Sequence, residues 1–267
     1  MNVLSRLMPR LLRERLRPLR RRFRLASEDA TGRMRASVAW TRPPAIQSLL
    51  AELSRPLSIH ELYCIGQREF VVLQLEQEIT GFLEYVAAAR PRIAGEIGLK
   101  WGGNTFLFLR MLQELRLFIG VDLTLTNIGK LRCVARAGER LRFIEGNSCA
   151  DATASRVRRS LGTSQFDFLF IDGDHSYVGA LADLKTYFPL VRPGGLIAFH
   201  DIVPDEMVRF GKRSNDSPCD GGEVYLLWRK LRERFEHREF VASWDQFGFG
   251  IGVIKKPMAP APGIGDL

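Results

Sequence analysis

The sequence predicts an α/β fold built on a mostly parallel sheet with helices on both faces. Three observations point there. From residue 92 onward, short apolar runs alternate with amphipathic stretches of helical spacing. Glycines separate the first run from the first of those helices, in EIGLKWGGNT at 96–105. Apolar runs also stop abruptly on ionisable residues: the run at 117–121 on Asp122, FDFLFI at 166–171 on Asp172, and GLIAF at 195–199 on His200 and Asp201. Ligands bind beyond the carboxyl ends of the strands in such sheets, so strands that end in charge open onto a wet cleft.

Residues 1–35 read as a basic amphipathic arm. Residues 1–25 hold nine arginines against Glu14, which accounts for eight of the chain's net +9 charges. Leucines at 4, 7, 11 and 16 approximate one apolar face, although Pro9 and Pro18 argue against a continuous helix. The arm suits an anionic membrane surface or a docking partner; a solvated tail is the alternative. Residues 36–90 read as a helical extension or lid. Pro43 and Pro44 open it and Pro91 closes it, with Phe70, Leu73, Ile79, Phe82, Leu83 and Val86 at roughly helical spacing across 67–89.

The α/β domain spans 91–256. Strands are expected at 92–97, 117–121, 141–144, 166–171 and 196–200, with helices at 105–115, 128–137, up to about 161, and 177–188. A polar loop at 203–222 leads to a helix at 223–235 and strands at 239–243 and 247–254. The tail, 257–267, is rich in Pro, Gly and Ala and is expected to be disordered.

With 267 residues and 46% hydrophobic content, the chain can bury one large domain plus extensions. No apolar run reaches the roughly 18 residues of a membrane span, and the N-terminus lacks the apolar core of a signal peptide. Cys64, Cys133, Cys149 and Cys219 form no CxxC pair, which fits free thiols in a reducing compartment. The expectation is a cytoplasmic protein, peripheral to the inner membrane face if the arm binds there. Apart from the arm the chain is nearly neutral, so nucleic acid is not an expected partner. A homo-oligomer remains open.

Several stretches carry chemistry. Gly98 and Gly102 have the spacing GxxxG, and Lys100 stands where a dinucleotide fingerprint would need glycine. Glu96, inside the turn, would repel phosphate and suits a ligand bearing an ammonium group. Asp122 can accept both hydroxyls of a ribose, and Gly146-Asn147-Ser148 follows the third strand, where an adenine could sit. In order, each at a strand end, these indicate a nucleoside. Asp172, His200 and Asp201 end two strands expected to be neighbours, and such carboxylates repel each other without a cation. His175 lies close enough to share that site. The plainer reading is a set of helix caps and loop carboxylates, above all for Asp174 and Ser176.

From about 92 to 255 the chain resembles the class I S-adenosylmethionine-dependent methyltransferases. FIDGDHSY…ADL…VRPGGLIAFHDI is similar to the bacterial small-molecule and sugar O-methyltransferases, and more distantly to catechol O-methyltransferase. The resemblance implies a Rossmann-like seven-stranded sheet with an antiparallel last strand. It implies that Glu96, Gly98 and Gly102 line the methionine end of S-adenosylmethionine, that Asp122 holds its ribose, and that Asn147 and Ser148 lie by its adenine. Asp172 borders the cofactor too. The family's Mg²⁺ ligands fall on Asp172, His200 and Asp201; catechol-type enzymes have a carboxylate at the His200 position. Their catalytic lysine falls on His175, which keeps a possible base. The implied acceptor is a hydroxyl of a small molecule or glycan. The rivals are an NAD-type oxidoreductase and a nucleic-acid methyltransferase that uses the arm.

Overall fold

The computed structural model describes residues 43–211, 222–258 and 264. The expected basic arm, most of the expected tail and Cys219 lie outside the described residues.

Three helices come first: α1 (Pro43–Glu52), α2 (Ile59–Phe70) and α3 (Glu76–Ala88). A capping box starts α2. Ser58 Oγ accepts from Glu61 N at 3.2 Å, and Glu61 Oε2 accepts from Ser58 N at 2.8 Å. Helical spacing suggested one segment across 67–89, but the structure breaks it at 71–75. Val71 there is left-handed, with φ of 59°. The linker runs so close to Gly103 that a Cβ on that glycine would meet the Val71 carbonyl oxygen at 2.6 Å and Val72 Cα at 2.7 Å. Tertiary packing on the glycine turn overrides the helical pattern.

Strands and helices then alternate: β1 (Ile93–Ile97), α4 (Gly103–Met111), β2 (Leu117–Asp122), α5 (Ile128–Val134), β3 (Arg140–Glu145), α6 (Asp151–Leu161), β4 (Phe166–Ile171) and α7 (Tyr177–Tyr187). After them come β5 (Val191–His200), α8 (Glu206–Phe210), α9 (Val224–Arg234), β6 (His237–Phe240) and β7 (Ile251–Lys255). The seven strands form one sheet in the order β3-β2-β1-β4-β5-β7-β6, parallel except that β7 opposes both neighbours. This is the expected fold. The chain order reverses between β1 and β4, which makes their carboxyl ends the switch point where such sheets bind ligands.

Some boundaries differ. β5 starts at Val191 rather than 196 and absorbs Pro193-Gly194-Gly195 through a register shift, with Phe166 opposite Val191 but Phe168 opposite Leu196. The last two strands fall at 237–240 and 251–255 because residues 241–250 form a loop anchored on buried Glu78 of α3. The Glu78 carboxylate accepts from Ala242 N at 3.1 Å, Gln246 Nε2 at 2.6 Å and Gly250 N at 2.8 Å. Within the expected polar loop, Asp205 caps the unforeseen α8 by accepting from Val208 N at 2.9 Å.

From Phe168 onward the side chains of β4 alternate between two cores, and Phe166, before the register shift, joins the second. Phe168 and Phe170 face α1 to α4; Phe166, Leu169 and Ile171 face α6, α7 and α9. Phe82 of α3 packs with ring centroids 5.8 and 5.5 Å from Phe168 and Phe170. Burying each such ring contributes about 1.5–3 kcal/mol. The helical extension thus covers one face of the sheet together with α4 and α5. Among the described residues, no helix is long and apolar enough to cross a membrane.

Candidate functional site

The turn after β1 forms one wall. Glu96 is fully buried; Thr105 Oγ1 donates to its Oε2, and its Oε1 has no hydrogen-bond partner. Burial pushes this carboxyl well above the usual range, the Thr105 bond opposes that, and the Asp172 and Asp122 carboxylates push it further up. An orphaned buried carboxylate oxygen suits an ammonium-bearing ligand. At Gly98, with φ of +88°, a Cβ would lie 2.1 Å from the Asp172 carbonyl oxygen, so only glycine lets the turn pass this close to the end of β4. Gly102, with φ of +86°, precedes α4.

Asp122 fastens the same turn. Its Oδ2 accepts from Leu99 N and Lys100 N, both at 2.7 Å, and its Oδ1 from Thr124 N at 2.9 Å. A carboxylate has about four acceptor positions, so a ribose would share these oxygens with the amides. Beyond β3, Asn147 Oδ1 accepts from Cys149 N at 3.0 Å, and the Ser148 carbonyl accepts from Tyr187 OH at 2.8 Å. Both residues shape the loop at that edge.

The second wall is the acid–imidazole cluster. Ile171 pairs with Phe199, so Asp172 and His200 leave the sheet side by side. His200 Nδ1 lies 3.3 Å from Asp172 Oδ1 and 3.3 Å from Asp201 Oδ1. His175 Nδ1 lies 2.9 Å from Asp201 Oδ2, and its Nε2 lies 3.7 Å from Asp172 Oδ1. All four residues singled out in the sequence therefore meet. Burial alone would push the His200 imidazole down, but Asp201 and then Asp172 outweigh it and hold it well above its ordinary value. Burial likewise would raise the Asp201 carboxyl, but His200 and His175 hold it well below. Asp201 is left-handed, with φ of 62°, and accepts from Phe249 N at 3.1 Å. Non-glycine residues in that conformation gather at functional sites.

Asp172, His175 and Asp201 each offer one ligand atom, and those atoms lie within 4.8 Å of one another. Two carboxylates with an imidazole suit a divalent cation such as Mg²⁺ or Mn²⁺. The sequence had placed His200 beside the aspartates as the third ligand. In the structure His175, and not His200, offers the third ligand atom of that group, because the start of α9 holds its loop: the His175 carbonyl accepts from Glu223 N at 2.7 Å. Ser176 caps α7, accepting from Gly179 N at 3.0 Å, which is the role anticipated for it; Asp174 does not cap the helix but braces the N-cap residue, its Oδ1 accepting from Ser176 N at 2.9 Å.

Sequence reasoning missed Gln74, buried at 3% exposure, whose Nε2 reaches Asp172 Oδ2 at 3.0 Å. The one available signal was a glutamine set between leucines in VVLQL. It also missed Thr105 as the partner of Glu96, and Glu223.

Comparison with known proteins follows the same outline. Residues 96–202 match the family model of a methyltransferase domain. The chain is 26% identical over 141 residues to mycinamicin VI 2''-O-methyltransferase of Micromonospora griseorubida, covering 52% of this chain and 33% of that protein. It is 26% identical over 188 residues to the rhamnosyl O-methyltransferase of Mycobacterium leprae (strain TN), covering 66% of this chain and 75% of that one. The chain thus spans about a third of the first relative's length and three quarters of the second's. Among solved structures, a methyltransferase from the mycinamycin biosynthetic pathway, in complex with Mg, SAH and mycinamycin VI, has a TM-score of 0.51. Its identity is 20%, over 79% of this chain and 57% of that one, so this likeness speaks to the fold.

Proposed function

We propose that the protein, whose residues 96–202 match a methyltransferase domain, transfers a methyl group from S-adenosylmethionine to a hydroxyl of a small molecule or sugar, at a site that takes a divalent cation. The observation that carries this reading is the junction at Gly98, where the nucleoside-side turn touches the backbone of Asp172, the first residue of the acid–imidazole cluster. Cofactor wall and proton-handling wall share one edge. The rhamnosyl-directed name of one relative supports a sugar hydroxyl as acceptor.

In this reading Glu96 receives the ammonium of the methionine end and Gly98 and Gly102 leave room for it. Asp122 takes the ribose hydroxyls, and Asn147 and Ser148 border the adenine. The cofactor supplies a methyl group already activated on a sulfonium. Asp172 and Asp201, with His200 3.3 Å from both, would hold the cation, which would supply Lewis acidity that lowers the pKa of a hydroxyl. Asp201 orients His175 through Nδ1, so that Nε2 takes the acceptor's proton. The chain's main contribution is alignment of the two reactants.

Purified protein should bind S-adenosylhomocysteine in calorimetry and methylate sugar hydroxyls in an acceptor panel. Binding of NAD(H) in its place would overturn the reading. EDTA should abolish turnover and Mg²⁺ restore it; full activity in EDTA would remove the cation. His175→Ala should keep Mn²⁺ binding and lose roughly 10²–10⁴-fold in rate, whereas loss of Mn²⁺ binding would make His175 a ligand.

A further inference from the structure

Far from the chemistry, the amino edge of the sheet carries a row of arginines. Arg92 immediately precedes β1, Arg116 immediately precedes β2, and Arg140 opens β3. These strands are neighbours, and backbone bonds join the three residues: Arg116 N to the Arg92 carbonyl at 2.8 Å, and Arg140 N to the Arg116 carbonyl at 2.9 Å. With Gln113, Glu114, Leu115, Ala137 and Gly138 they line a cleft of about 750 Å³.

The charges in this cleft do not balance. Glu114 is its single acid, and that carboxylate is already engaged by Arg90 and, at 3.5 Å, by Arg92. Nearby Glu139 is taken by Arg136 at 2.7 Å. The exposed Arg116 and Arg140 side chains form no ion pair among the described residues. Like charges gathered in one cleft repel each other. An anion would relieve the repulsion. Guanidinium forks match phosphoryl oxygens two at a time. Strand starts spaced about 4.8 Å apart put the first and third roughly 10 Å from each other, wider than one phosphate.

We infer that this cleft is a second binding site, specific for a ligand with two adjacent phosphoryl groups. Strands of this length set it about 17–20 Å from the carboxyl edge, so it does not compete with the cofactor.

The test uses the full chain and pyrophosphate as probe. Calorimetry at low salt should show saturable binding, weaker for orthophosphate. R116A/R140A should lose at least tenfold in pyrophosphate affinity, with S-adenosylhomocysteine affinity within twofold of the parent as proof of fold. E114Q, which frees Arg90 and Arg92, should bind pyrophosphate several-fold tighter. Sedimentation with vesicles containing a lipid whose headgroup carries a pyrophosphate, requiring Arg116 and Arg140, would identify a lipid headgroup as the source; pyrophosphate binding without it would identify a soluble one. Absence of saturable pyrophosphate binding, or equal binding by R116A/R140A, would overturn the proposal.

Discussion

Gln74 and Asp172 lie 98 positions apart in sequence and 3.0 Å apart in space, the Gln74 amide Nε2 donating to the carboxylate Oδ2. Through this bond the helical extension reaches the carboxyl edge of the sheet. A neutral donor at that oxygen steadies the carboxylate without neutralising it, which leaves its charge available to a cation.

Gln74→Ala should therefore lower kcat by roughly ten- to a hundredfold, the equivalent of the 1.5–3 kcal/mol carried by a hydrogen bond to a charged group. S-adenosylhomocysteine affinity should change far less. Steady-state kinetics beside calorimetry separates the two, and an unchanged kcat would leave Gln74 with a packing role alone.

Glu78→Ala removes the shared acceptor of Ala242 N, Gly250 N and the Gln246 amide. A buried donor left unpaired costs about 1–3 kcal/mol, and of the three only Gly250 N is buried, so the variant should lose roughly 1–3 kcal/mol in urea unfolding. Glu78→Gln, which keeps one acceptor, should lose less. Equal losses for the two would show that charge rather than acceptor count matters there.

Asp122→Ala deprives the Leu99 and Lys100 amides of their acceptor and removes the proposed ribose contact. S-adenosylhomocysteine should bind at least tenfold more weakly, about 1.4 kcal/mol. Unaltered affinity would restrict Asp122 to fastening the turn.

Acid stability should register the capping box of α2. The Ser58 amide, then Arg55, holds the exposed Glu61 carboxyl down at about 2, against an ordinary 4.5 in the unfolded chain. A depressed carboxyl stabilises the fold fully above the unfolded value, and that contribution is lost as pH falls from about 4.5 toward 2. The Tm of Glu61→Gln should lie below that of the parent at neutral pH, with the gap closing across this window. A gap constant from pH 5 to 2 would contradict the assignment.

The strands and the ionisable cluster at their carboxyl ends were legible because their signals are local. An apolar run and the charge that ends it occupy neighbouring positions, as in FDFLFI followed by Asp172. What stayed hidden was tertiary. The break at Val71 is set by how closely the linker meets Gly103, and the displaced last strands by three donors converging on Glu78. The histidines show both sides. Their membership in one cluster could be read from strand ends, but the pairing of His175 Nδ1 with Asp201 at 2.9 Å depends on how the start of α9 holds a loop.

The strand order also has a consequence for synthesis on the ribosome. β1 sits between β2 and β4, yet Ile97 finds Ile171 only after β2, α5, β3 and α6 have been made. At about 5–20 residues per second, one flank of β1 stays open for several seconds, a span in which nascent chains from neighbouring ribosomes could zip onto it. IAGEI is a poor template for that, since its glycine weakens pairing and Glu96 puts a charge into the naked edge. The same glutamate that ends buried with one orphaned oxygen would thus shield the growing chain before it has anything to bind.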